Sequence, residues 1–86
     1  MMHEMSLLQR AIAKYGKDAQ MKMVLEEMSE LQKEICKLWR GKDNRDAIAE
    51  EVADVEIMLN QLHVIFGDNT EAEAEKLEHL ARIVNG

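Results

Sequence analysis

Three glycines, at positions 16, 41 and 67, are the only strong helix interruptions before the last residue of this 86-residue chain, which contains no proline. Proline and glycine are the residues that most disfavour a helix interior, and Ala, Leu, Glu, Met and Lys, which favour it, are abundant here. Between the glycines, apolar residues recur at helical spacing. Met21, Val24, Leu25, Met28, Leu31, Ile35 and Leu38 form one such series, and Ile48, Val52, Val55, Leu59, Leu62 and Phe66 another. Ser6 with Gln9 and Thr70 with Glu73 have the spacing of capping boxes, and Asp18 and Asp43 or Asn44 suit the other two helix starts. The pattern predicts an all-α chain of four helices. The turn near Lys42 is short, so the two central helices should form an antiparallel hairpin.

One domain, residues 1–86, is all this length supports. A core so small is marginal alone, and association is a common remedy, so an oligomeric helical bundle, a homodimer or homotetramer, is expected. The net charge of −6 argues against a general nucleic-acid binder, which needs a basic face. The single cysteine, Cys36, has no internal disulfide partner and suits a reducing compartment, packed as a small hydrophobe. No apolar run approaches the ~20 residues of a membrane span, and MMHEMSLLQR lacks a signal-peptide core. A cytoplasmic location is expected.

Acids interrupt both central apolar series: EEMSE at 26–30 and EEVAD at 50–54. Residues three apart share a helix face, so Glu27 projects with Glu30 and Glu51 with Asp54. Glu30 lies twelve residues before Lys42 and Asp54 twelve after it. On a hairpin the two pairs therefore meet at about the same height, roughly 18 Å from the turn at 1.5 Å per residue. Half-buried clustered carboxylates must take up protons or a cation, and an all-oxygen set suits Mg²⁺, with Mn²⁺ in the same class. Mg²⁺ commonly completes its shell with substrate phosphates, which leads to phosphate-ester or anhydride chemistry. The competing reading is a solvated helix edge, since ExxE arises easily in a chain so rich in glutamate.

The stretch EEMSELQKEICKLWRGKDNRDAIAEEVADVEIMLNQL, residues 26–62, resembles the MazG-like all-α nucleoside triphosphate pyrophosphohydrolases of the small phage-type branch. That family carries ExxE, a gap, then ExxD, which fall here on Glu27–Glu30 and Glu51–Asp54. The resemblance is good over the two central helices, weak over the last and nearly absent over the first. It implies Mg²⁺-dependent cleavage between the α- and β-phosphates of an NTP or dNTP, giving nucleoside monophosphate and pyrophosphate, with nucleotide-pool sanitising as a role. It implies Glu27, Glu30, Glu51 and Asp54 as metal ligands, Glu26 or Glu50 as the residue orienting the attacking water, and a nucleotide bound near a subunit interface. Larger members carry an Asn-rich basic motif on the final helix, where this chain reads EAEAEKLEHLARIV. Substrate contacts are assigned to Lys76, Arg82, Asn60 and Trp39. For each there is a plainer role: surface pairing for the two bases, solvent for Asn60, a core or interface anchor for Trp39. Arg82 reaches the height of Asp54 if the last helix folds back along the third. Two alternatives stand beside this reading: phosphoribosyl-ATP pyrophosphatase, with the same EExxE…EExAD pattern, and a non-catalytic helical binding module.

Overall fold

The computed structural model describes residues 2–86, with side chains described from Leu7 onward. Its elements are four α-helices: α1 (Met2–Tyr15), α2 (Lys17–Trp39), α3 (Arg45–Phe66) and α4 (Thr70–Asn85). Gly16, Gly41 and Gly67 stand at the breaks, all with positive φ. At Gly41 the φ of 101° is one that L side chains rarely adopt. It lets the Gly41 N–H reach the Leu38 carbonyl and the Lys42 N–H reach the Lys37 carbonyl, the paired bonds of a Schellman ending.

The helix starts differ from the capping signals. α1 is already helical at Met2, four residues before Ser6. α2 begins at Lys17 behind Gly16, so Asp18 lies in its first turn rather than at the cap. α3 does start after Asn44, but the Asn44 side chain makes no cap bond. Its amide donates instead to the backbone carbonyl and a carboxylate oxygen of Glu34, both at 2.9 Å. Thr70 opens α4 behind Asn69 without a side-chain cap, and its N–H is taken by the Asp68 carboxylate at 3.2 Å. At Asn44 the short polar side chain has a partner across the turn in place of the cap its position suggested.

α2 and α3 pack closely along their lengths, and α1 lies against both. The seam between α2 and α3 is narrow. From residue 22 to 36 only Val24, Glu27, Leu31 and Glu34 escape exposure, and from 49 to 59 only Glu51, Val55 and Met58. The spacing alternates three and four, as in a coiled-coil seam. Leu8, Val24, Val55 and Met58 are the buried hydrophobic residues, and Gln20, Asn44 and Gln61 are buried with them. Much of the apolar series read from the sequence lies outside this seam: Leu25, Met28, Ile35, Leu38, Val52, Leu59 and Phe66 are exposed. Cys36 is exposed too, not packed, and Trp39 is 88% exposed, which removes it from any core within the protomer.

α4 stands apart. Among the described residues, no Cα of α4 lies within 8 Å of a Cα in another helix, and no residue of α4 is buried. The fold-back along α3 is therefore not the arrangement of this protomer. No described helix is long and apolar enough to cross a membrane.

Candidate metal centre

Three polar layers interrupt the apolar seam, and on α2 they recur at residues 20, 27 and 34. At one end, Gln61 of α3 donates from Nε2 to Oε1 of Gln20 at 2.9 Å, with both side chains buried. At the other end, Glu34 accepts from Asn44 and is paired with Lys37 at 3.0 Å. These hydrogen bonds hold the Glu34 carboxyl below its ordinary range, Asn44 contributing most and Lys37 next. Although Gln61 Oε1 and Asn44 Oδ1 are themselves buried without a partner, each outer layer thus joins its two helices through an amide donor.

The middle layer does not. Glu27 of α2 meets Glu51 and Asp54 of α3, and one carboxylate oxygen from each lies within 4.8 Å of the others. Glu27 and Glu51 are half-buried in the seam and Asp54 is exposed at its edge. Burial pushes the Glu27 carboxyl above its ordinary value, and the charges of Asp54 and then Glu51 push it further, as do hydrogen bonds from its protonated form to the same two carboxylates. One oxygen of Glu51, Oε2, is buried with no hydrogen-bond partner. A buried carboxylate oxygen without a donor is costly unless a proton or a cation meets it.

The donor set fits a hard divalent cation. Three carboxylates offer oxygen alone, which suits Mg²⁺ or Mn²⁺ over zinc. Around Mg²⁺, oxygens at about 2.1 Å stand up to ~4.2 Å apart on opposite sides, so small side-chain adjustments bring this trio onto one ion. Exposure of Asp54 leaves one side open to solvent and to a ligand.

Glu30, expected as a fourth ligand, is not in this group; it is exposed one turn further along α2. Three residues turn a helix by about 300°, so Glu30 sits ~60° around α2 from Glu27, off the line that faces α3. Glu26 and Glu50 are exposed and also outside the trio, each about 100° around its helix from Glu27 or Glu51. Asn60 is half-buried on α3, but nine residues turn the helix by about 180° net from Glu51, so it faces away from the site. Trp39 ends α2, twelve residues and about 18 Å along the axis from Glu27. Lys76 is exposed on α4, and Arg82 pairs with Glu78 of its own helix at 3.4 Å. None of the four assigned substrate contacts is brought to the trio within one protomer.

The glutamines of the seam were missed by sequence reading, which searched for apolar positions. The available signal was spacing: Gln20, Val24 and Glu27 step by four and three, as do Val55, Met58 and Gln61 by three and three. Compared with models of protein families, with curated proteins and with solved structures, the chain matches none.

Proposed function

We propose that this chain is a Mg²⁺-dependent nucleoside triphosphate pyrophosphohydrolase of the MazG-like all-α type, working as a homodimer or homotetramer and releasing nucleoside monophosphate and pyrophosphate. One observation carries the reading: of three polar layers in the α2–α3 seam, the two outer ones each contain an amide that bridges the layer, while the middle one gathers three carboxylates, Glu27, Glu51 and Asp54, with no amide or cationic side chain among them. Acids at two positions of a coiled-coil-like seam are a stability cost that a solvated helix edge does not incur. Three of the four acids in the ExxE and ExxD resemblance are these residues. The pairing of 20 with 61, 27 with 51 and 34 with 44 supports an antiparallel hairpin, since numbers rise on α2 as they fall on α3.

In this reading Glu27, Glu51 and Asp54 hold the cation, which when bound neutralises phosphate oxygens and acidifies a water. Glu30 stands at the open rim, where it contributes through solvent rather than as a direct member of the trio. Glu26 and Glu50, exposed and next in sequence to Glu27 and Glu51, are the candidates for orienting the water. Lys76 and Arg82 lie on a helix that leaves its own acidic layer, so their contact with substrate phosphates would come across a subunit boundary. The test is a panel of NTPs and dNTPs incubated with Mg²⁺, with products separated. Monophosphate and pyrophosphate are expected. Nucleoside diphosphate with free phosphate as the main products would overturn the assignment, as would no turnover with any nucleotide.

A further inference from the structure

We infer that α4 is an assembly arm, whose apolar stripe docks on a second copy of this chain rather than on its own protomer. The stripe is built by Leu77, Leu80 and Val84, which fall within about 60° of one another around the helix at ~100° per residue. They are 57%, 52% and 71% exposed. An isolated helix of 16 residues is marginal in water and draws most of its stability from packing such a face. Among the described residues, nothing in its own protomer covers it.

The size of the uncovered surface fits a second copy of the chain as the occupant. A compact chain of 9.9 kDa exposes about 5,200 Å² by the scaling of surface with mass. This protomer exposes 7089 Å². The excess is about 1,900 Å² per chain, or ~3,800 Å² for two, inside the range of ~2,000–5,000 Å² buried by obligate homodimers. The radius of gyration agrees: 15.8 Å, against roughly 12 Å for a compact domain of this length. The same chain also supplies an apolar surface for the arm to cover. Leu59, Leu62 and Phe66 line a groove at the end of α3, beside Gly67, from which α4 departs. A two-fold pair lets each stripe meet the other copy's groove with one repeated contact. The polar residues of α4 disfavour the other broad classes of partner. Four glutamates, Glu71, Glu73, Glu75 and Glu78, outnumber Lys76 and Arg82, so the helix repels anionic membranes and nucleic acids.

This inference rests on the homo-oligomeric part of the proposed function and is independent of hydrolysis. A monomer that hydrolyses nucleotides would sink it with the homo-oligomeric part of that reading and leave the hydrolytic part intact, and an arm-exchanged dimer without turnover would do the reverse. The test uses the full chain. Sedimentation at tens of micromolar should give a wild-type mass of two chains or more, and Leu80→Glu should lower that mass by at least half. Glu75→Gln, on the opposite side of α4, should leave it unchanged. A photo-crosslinker at position 80, in a mixture of ¹⁴N- and ¹⁵N-labelled chains, reads the contact directly and does not depend on how Leu80→Glu folds. Crosslinks joining light to heavy chains through the α3 groove are expected. A monomeric wild type, an unchanged mass for a folded Leu80→Glu chain, or crosslinks confined within single chains would each overturn the inference.

Discussion

The Gln20–Gln61 layer is a measurable control on how this seam treats buried polar groups. The Gln61 Nε2 donates to Gln20 Oε1 at 2.9 Å, and the two residues are 2–3% exposed. The second polar atom of Gln61, Oε1, is buried without a partner. A buried group stripped of its partner costs about 1–3 kcal/mol, whereas replacing both partners by apolar groups of similar shape is nearly neutral or stabilising. Gln20→Leu leaves both polar atoms of Gln61 without a partner and should destabilise by ~1–3 kcal/mol. Gln61→Leu strands Gln20 Oε1 but also removes the orphaned Oε1 of Gln61. The two effects oppose, and the net change should lie within about 1 kcal/mol of zero. The double variant makes the layer apolar and should equal or exceed the wild type. At the centre of these ranges the cycle gives a favourable coupling of ~2 kcal/mol. Helical signal in thermal melts is a suitable readout, since each kcal/mol moves the midpoint by roughly 4–8 °C in a domain this size. All four proteins must be melted at one protomer concentration, because association shifts the midpoint. Additivity within about 0.5 kcal/mol would refute the reasoning, because it would mean that the two side chains do not depend on each other.

The acid layer should respond in the opposite sense to a ligand. Glu51→Gln should raise the melting temperature of the metal-free chain and abolish its stabilisation by Mg²⁺, with hydrolysis reduced by ~100-fold or more; equal Mg²⁺ shifts in both proteins would refute a cation site. Glu30→Gln should weaken Mg²⁺ stabilisation far less than Glu27→Gln or Glu51→Gln, and calorimetric titration ranks them. Because the folded state raises the Glu27 carboxyl above its ordinary 4.5, folding takes up a proton there; metal-free stability should fall as pH rises from about that value through the raised one, and saturating Mg²⁺ should flatten this slope. Glu34 has the opposite sign: its lowered carboxyl contributes stability that is present above the ordinary value and lost as pH falls through the lowered one, and Asn44→Ala should remove most of that dependence in acid melts.

Much of the helical architecture is legible in the amino-acid order because its causes are local. Without proline, and with glycine at 16, 41 and 67, the backbone breaks at those three places. The recurrence of apolar residues between them produces helices near the observed bounds. The caps were less legible. Ser6, Asp18 and Thr70 carry signals worth only about a kcal/mol each, too little to fix where a helix starts. The acids of EEMSE and EEVAD were legible as a group, since three-residue spacing puts each pair on one side of its helix.

Which acids meet was a tertiary decision. Both central helices are apolar around a wide arc, so periodicity admits several seams. Packing selected the line through Val24, Glu27 and Leu31, which brings in Glu27 and leaves Glu30 about 60° away. The same choice buried Gln20 and Gln61, which no hydrophobic pattern marks, and left Leu25 and Phe66 exposed. The course of α4 was a tertiary matter as well. Its sequence specifies an amphipathic helix after Gly67, but nothing local to residues 70–85 encodes that it stands apart from the other helices of the protomer. Helix formation follows from interactions within a few residues. The seam depends on surfaces far apart in the chain, whose fit exists only once the helices are side by side.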